Sequence, residues 1–228
     1  MKVVMIWFIL FIAYSVIGWC VEMFVSAHEQ KKIVNRGFLI GPYCPVYGVG
    51  CILMILLLNS YKSDFLVLFV MGAVLCTILE YFTGYIMEKI FKARWWSYYD
   101  YPFNLNGRVC LQNTIGFGFG AIVITYINIH ILNGITGLST NYLIIIFSIL
   151  FVIFITDFIA SFNIINKLKL TTLEIKKDST DFITDKVKNV LIEKSAYFGR
   201  LLKAFPNIKL PNFKNVRRKF IKKQHNKK

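Results

Sequence analysis

The chain has 228 residues, of which 56% are apolar, and it carries a formal net charge of +15. Its mean hydropathy is +0.56. The apolar residues fall in long blocks that are almost free of charge, without the alternating or helical periods of a half-buried segment. Blocks that are apolar on every face belong in a membrane or inside a very large protein. These properties exclude an ordinary soluble domain of this length.

Five apolar runs predict five transmembrane helices and therefore an all-α, polytopic membrane protein. About 20 apolar residues cross a hydrocarbon core of about 30 Å, and four of the runs reach that length. The second run does so only if it extends from Pro42 to Ser60. The runs cover residues 3–25, 45–58, 65–87, 109–132 and 142–165.

The first run is expected to stay in the membrane as an anchor and not to be cleaved as a signal peptide. Lys2 is followed by an uncharged stretch that is longer than the usual apolar region of a signal, about 7–15 residues. The bulky Trp19 before Cys20 argues against a lipoprotein signal.

The distribution of basic residues predicts the orientation. Segment 166–228 holds 18 Lys and Arg against 5 acids, and positively charged segments stay in the cytoplasm. Five crossings then place the N-terminus outside and the C-terminus inside. Loops 26–44 and 88–108 are basic whereas loop 133–141 has no charge, which agrees with this orientation in the cell membrane.

The composition divides the chain into a membrane domain, residues 1–165, and a basic cytoplasmic tail, residues 166–228. Apolar residues between 181 and 204 recur at the spacing of one helix face, which predicts an amphipathic basic helix. Such a tail can attach to anionic membrane lipids, or it can be a solvated segment that only sets topology. Nucleic acid is not expected, because the tail has no recognition module.

Two acidic residues interrupt the apolar runs in a similar context and predict an internal repeat. Glu22 and Glu80 each lie in the cytoplasmic half of a helix and precede a basic loop, a Gly-x-x-Cys and a glycine-rich run. Each loop also places Asn and Arg beside Gly, as in Asn35-Arg36-Gly37 and Asn106-Gly107-Arg108. The pattern predicts a helix–loop–helix duplication in one orientation, although such short matches also arise by chance. Sites in transporters tend to lie between repeats.

The candidate site is a polar cluster inside the membrane domain. A carboxylate near the bilayer centre costs about 2.5–3.5 kcal/mol on insertion scales, so Glu22, Glu80 and Asp157 should face the bundle. Arg36 and Arg108 can fold back from the inner loops and pair with the two glutamates. Such a cluster is either a substrate or ion path or a set of ion pairs that locks the two halves together.

Other polar and small residues are expected to have simple roles. Glu88, near a helix end, can reach lipid headgroups. The rings between Trp95 and Tyr101 favour the inner headgroup zone. Gly116 and Gly120 form a small-xxx-small surface that lets helices approach closely.

Catalysis, metals and cofactors are not expected. The chain lacks H-E-x-x-H, Gly-x-Ser-x-Gly, a P-loop and C-x-x-C, which carry zinc, acyl-transfer, nucleotide and redox chemistry. Its five cysteines lie within or at the ends of the apolar runs and are interpreted as buried reduced thiols.

The strings GWCVE (18–22), NRGFLIGPYCPVYGVG (35–50) and LEYFTGYIMEKIFKARWWSYYDYPFNLNGRVCL (79–111) resemble a bacterial membrane family called putative ABC-transporter type IV, or CmpB-like. The resemblance covers about residues 8–160. It implies a multi-pass permease that works with a separate ATPase, and it supplies no catalytic or binding residues to transfer.

Three functions are compatible with these features. The first is a permease-like subunit whose ATP-binding partner docks on loops 26–44 and 92–108, and which forms a homodimer because five helices are few for a pathway. The second is a membrane-embedded enzyme that acts on lipid at the inner leaflet. The third is a non-catalytic scaffold whose basic tail gathers anionic lipid or a partner.

The predicted orientation can be checked by proteolysis of membrane vesicles from cells that make the chain with a C-terminal epitope. We expect the epitope to survive protease in right-side-out vesicles and to be lost in inverted vesicles. An epitope inserted in loop 133–141 should behave in the opposite way. Loss of the C-terminal epitope from right-side-out vesicles would contradict a cytoplasmic tail.

Overall fold

The computed structural model describes residues 1–30, 37–91 and 94–177, and these residues are mostly helical. A single 3-10 turn, Asn59–Tyr61, follows the second helix. The elements in chain order are α1 Lys2–Gln30, α2 Pro45–Leu58, α3 Phe65–Phe91, β1 Asn104–Leu105, β2 Val109–Cys110, α4 Leu111–Thr136 and α5 Thr140–Lys177.

Four helices, α1, α3, α4 and α5, are long and apolar enough to cross a membrane, and α2 is shorter than predicted. Its 14 residues span about 21 Å at 1.5 Å per residue, less than the hydrocarbon core. The helix begins at Pro45 after Cys44, which is extended with φ −117° and ψ 97°. A residue before proline is disfavoured in the helical region, and this explains why α2 does not begin near Pro42.

The non-helical segment Gly37–Cys44 lies inside the protein beside the middle of α1. The backbone N–H of Cys44 donates to the carbonyl oxygen of Ser15 at 2.8 Å, and Ser15 is about 20 Å along α1 from its first residue. Leu39 and Tyr43 are buried. Irregular backbone is tolerated inside a membrane protein only where protein surrounds it, and these buried side chains show that other parts of the chain cover the segment.

The helices pack mainly as two pairs, α1 with α2 and α3 with α4. Glycines permit the closest approaches in both pairs. A Cβ on Gly48 of α2 would overlap Ser15 and the carbonyl of Phe11 on α1. A Cβ on Gly72 of α3 would overlap Ala121 on α4. Both pairs therefore depend on backbone contact across a glycine.

One apolar core joins the two pairs. Leu10, Tyr14, Leu68 and Ala121, from α1, α3 and α4, are fully buried in it. The Tyr14 hydroxyl also donates to Oδ1 of Asn128 at 2.9 Å, a buried bond between α1 and α4. Most apolar side chains of α5 are exposed, as expected for a helix that faces lipid.

A second apolar cluster lies at the end of the bundle where the loop after α3 packs, and the aromatic rings of this loop do not share one environment. Trp95 is buried and packs with Phe38, Phe91 and Ile165. Tyr99, in contrast, is 53% exposed and is compatible with the headgroup zone. Trp95 therefore packs between α3, α5 and the segment that precedes α2, whereas Tyr99 lies at the surface.

The described residues do not use the small-residue surface expected on α4. None of their atoms lies within 4 Å of a Cβ placed on Gly116 or Gly120. Gly118, on another face of the helix, makes the close contact, since a Cβ there would overlap the Phe69 ring.

A short β-hairpin lies between α3 and α4 in this mostly helical fold. Strands β1 and β2 are antiparallel, with Leu105 opposite Val109. Asn106 and Gly107 form the turn between them with φ of 53° and 63°, and Arg108 N–H closes it on the Leu105 carbonyl at 3.0 Å. Two positive φ angles define a type I′ turn, for which Asn-Gly is the preferred sequence.

Two predictions concern the C-terminal part of the chain. The amphipathic helix expected between 181 and 204 lies outside the described residues. Helix α5 continues past residue 165 to Lys177, and the division into residues 1–165 and 166–228 stays a prediction.

The role of Gly48 can be tested against Gly116. We expect Gly48→Ala to destabilise the protein by about 1–3 kcal/mol, because the methyl group overlaps α1 and overpacking costs energy of that size. Gly116→Ala should be neutral or stabilising, since the position is open and alanine favours helix over glycine. Thermal unfolding in mild detergent measures both, and equal behaviour of the two variants would contradict the packing.

Candidate functional site: the glutamate cluster

The first acidic residue of the site is held by a tyrosine from α2. The Tyr47 hydroxyl donates to Oε1 of Glu22 on α1 at 2.6 Å. Gly18, one turn before Glu22, makes room for this contact, because a Cβ on Gly18 would overlap the Tyr47 side chain. The hydrogen bond therefore depends on the close packing of α1 and α2.

The second acidic residue is held by a tyrosine from the loop after α3. The Tyr98 hydroxyl donates to Oε1 of Glu80 at 3.0 Å. Asn113, in the first turn of α4, donates through Nδ2 to the Tyr98 hydroxyl at 2.7 Å. The Tyr98 backbone N–H is fixed by the Gly107 carbonyl at 2.9 Å, so the hairpin turn positions this tyrosine.

These side chains form one group, which we call the glutamate cluster: Glu22, Tyr47, Glu80, Tyr98 and Asn113. Glu22 acts electrostatically on both Glu80 and Tyr98, and the two tyrosines also interact. Glu22 and Glu80, from α1 and α3, are therefore close enough to interact electrostatically.

The two halves of the cluster are built in a similar way. Cys44 and Cys110 are both extended residues immediately before a helix. The third residue after each cysteine, Tyr47 or Asn113, points to the carboxylate network of the preceding long helix. The correspondence starts at the two cysteines of the predicted repeat, and the repeat itself stays a prediction.

Asp157 has its own set of hydrogen bonds at a different place on α5. Its carboxylate accepts from the backbone N–H of Ile40 at 3.0 Å and of Gly41 at 2.7 Å. The hydroxyls of Tyr43 and Ser161 also donate to it. Asp157 therefore accepts hydrogen bonds from the irregular segment before α2. The sequence did not indicate this structural role.

Arg108 pairs with a carboxylate other than the expected Glu80. Its guanidinium contacts Oε2 of Glu88 at 2.7 Å, and Arg94 contacts the same oxygen at 3.1 Å. The Arg108 guanidinium also lies over the rings of Tyr81 and Tyr85. Glu88 is one helical turn beyond Gly84, where the loop folds back onto α3, and it meets the arginines before they can reach Glu80.

The remaining predicted site residues either lie outside the described residues or have a role in the fold around the site. Asn35 and Arg36 lie outside the described residues. Gly37 is buried at the start of the irregular segment. Asn106 and Gly107 form the hairpin turn, and Asn106 also donates to the Tyr81 hydroxyl at 3.1 Å.

Burial keeps the Tyr98 hydroxyl, in the loop after α3, protonated. It raises the pKa of Tyr98, and the charge of Glu80 and the hydrogen bond to it act in the same direction. Tyr98 therefore stays a hydrogen-bond donor.

The arrangement can hold a proton or a cationic group more readily than it can perform nucleophilic chemistry. Its carboxylates accept from hydroxyl donors, and the described part of the chain contains no group of three or more His, Cys, Asp or Glu suited to a metal ion.

The sequence did not identify Tyr47, Tyr98, Asn113 and Glu88 as site residues. The available signal was the equal spacing of Tyr47 and Asn113 after the two cysteines. No comparable pattern indicated Tyr98 or Glu88, because both act through contacts with a loop that folds back onto α3.

The structural task of Asp157 can be tested by removing its carboxylate. We expect Asp157→Ala to lower the free energy of unfolding by about 3 kcal/mol, because two backbone donors at membrane depth lose a charged acceptor. Thr156→Val is the matched control, since the Thr156 hydroxyl bonds only to carbonyls of its own helix and should change little. Unfolding in mixed detergent measures both, and a stable Asp157→Ala would contradict this task.

Comparison with known proteins agrees with the membrane architecture. The family described as "Putative ABC-transporter type IV" matches residues 9–162, which include every member of the glutamate cluster and Asp157. No curated protein and no solved structure matches the chain. The match covers more than half of the sequence, and the chain is therefore a multi-pass membrane protein that belongs to the putative ABC-transporter type IV family.

Proposed function

We propose that this chain is the permease-like subunit of a transporter in the cell membrane, that it works with a separate ATP-binding subunit, and that the glutamate cluster lines its path. In this proposal the segment Gly37–Cys44 and α2 complete a fifth crossing, with the N-terminus outside and the tail in the cytoplasm. The two helix pairs act as repeats in one orientation.

The observation that carries the proposal is the position of Glu22 and Glu80. Both belong to apolar helices, and they meet where the α1–α2 and α3–α4 pairs contact each other. Acidic residues within membrane helices are costly and usually mark ion or substrate paths. Transport sites commonly lie between repeats and beside interrupted helices, and α2 is such a shortened helix.

The partner of Glu80 favours a path over a permanent ion-pair lock. The donor to Glu80 is the Tyr98 hydroxyl, whose hydrogen bond is easily exchanged for a ligand. Arg108, which was expected to neutralise Glu80, is occupied by Glu88. This contact also weakens the alternative of an enzyme that uses Arg108 to bind lipid headgroups.

The hairpin after α3 offers a surface for the ATP-binding subunit. Phe103 is 82% exposed and has φ of 52°, a conformation that bulky residues rarely adopt. The fold thus presents a large ring outward on the loop 92–108. A second copy of the chain can approach at Gly116 and Gly120, where α4 is open.

The test is purification of the tagged chain from its own membranes in mild detergent, followed by mass spectrometry of bound proteins. We expect one protein with a P-loop to be recovered in a fixed ratio to the chain. Phe103→Asn should lower that recovery several-fold, because it removes the ring and because asparagine tolerates positive φ.

Tyr61→Asn is the matched control, since Tyr61 is an exposed ring at the other end of the bundle and should leave recovery unchanged. Absence of any P-loop protein, including after cross-linking in intact membranes, would contradict the proposed ATP-driven subunit. Equal recovery with both variants would place the docking surface elsewhere.

A further inference from the structure

One oxygen of the glutamate cluster is buried without a hydrogen bond among the described residues. Oε1 of Glu80 accepts from Tyr98, whereas Oε2 is buried and has no hydrogen-bond partner. Asn113 lies beside Glu80 but directs its Nδ2 to the Tyr98 hydroxyl at 2.7 Å. An ionised carboxylate in this position would therefore keep a charged oxygen away from both water and donors.

The nearest carboxylate adds to the cost that burial places on ionising Glu80, whereas the contacts of Tyr98 and Asn113 favour the ionised form. A second carboxylate, Glu22, approaches from α1 and repels a negative charge on Glu80. The loop cations Arg94 and Arg108 are bound to Glu88. Among the described residues, the other titratable side chains that act on the cluster include the hydroxyls and thiols of Tyr47, Tyr98, Cys44, Cys76 and Cys110.

We infer that Glu80 is a proton-binding site of the membrane domain and that it carries a proton on Oε2 at neutral pH. Tyr98 occupies Oε1 as a donor, so Oε2 is the oxygen left to take the proton. The proton comes from the solvent. It neutralises a carboxylate charge that would otherwise lie buried beside Glu22. Its role as the coupling ion of the permease rests on the proposed function. The proton site itself is a property of the folded chain and does not depend on that function.

Infrared spectroscopy of the purified full-length chain in lipid bilayers tests the site directly. A protonated carboxylic acid has a C=O stretch above the amide I band, and this stretch shifts when H₂O is replaced by D₂O. We expect the wild-type chain to show such a band at pH 7. The band should disappear in Glu80→Gln and remain in Asp64→Asn, because Asp64 is an exposed residue outside the membrane helices.

Two further variants keep the test decisive if Glu80→Gln fails to accumulate. Glu80→Asp retains the acid and should move the band to a different frequency. Glu22→Gln removes the neighbouring charge and should let the band disappear at lower pH than in the wild type. Absence of the band from the wild-type chain at pH 7, or a band that Glu80→Asp leaves unmoved, overturns the inference.

The result is independent of the ATP-binding partner. The band is measured on the chain alone, whereas the proposed function is tested by the recovery of a P-loop protein from native membranes. A band without a partner supports the proton site and contradicts the ATP-driven permease. A partner without a band supports the permease and overturns the proton site.

Discussion

A hydrocarbon environment offers no water to unpaired polar groups, and the fold depends on meeting this constraint inside the protein. The clearest case is the irregular segment Gly37–Cys44, which lies beside the middle of α1. Asp157 on α5 accepts two of its backbone N–H groups and the Tyr43 hydroxyl. This carboxylate allows α2 to begin deep in the bundle, where Tyr47 can reach Glu22.

The same constraint gives each acidic residue a distinct set of partners. Asp157 binds backbone amides, Glu88 binds two arginines near the C-terminal end of α3, and Glu80 accepts from a tyrosine hydroxyl. A neighbouring arginine favours the ionised form of a carboxyl group. Glu88 has two such neighbours, whereas no ion pair of Glu80 is seen among the described residues. Glu80 therefore stands apart from the structural acids, and this contrast supports a path through the glutamate cluster.

The sequence predicted what composition and local chemistry determine. The apolar runs located the four long helices, and Asn106-Gly107 is a preferred turn sequence that was not used to predict the hairpin. The cost of burying charge favoured a shared interior position for Glu22 and Glu80, and this position stays a prediction. The sequence did not reveal the short α2 or the Glu88–Arg108 pair. Both arise from loops that fold back against the helices, and such contacts have no periodic pattern in a single sequence.

The central claim is that Glu22 and Glu80 share one interior site, and a double-mutant cycle tests it most directly. The free energies of unfolding of the wild type, Glu22→Gln, Glu80→Gln and the double variant would be measured in one mild detergent. Two carboxyl groups in one electrostatic cluster should be coupled by at least about 0.5 kcal/mol. Effects that add within about 0.3 kcal/mol would show that the two glutamates act independently and would contradict the shared site.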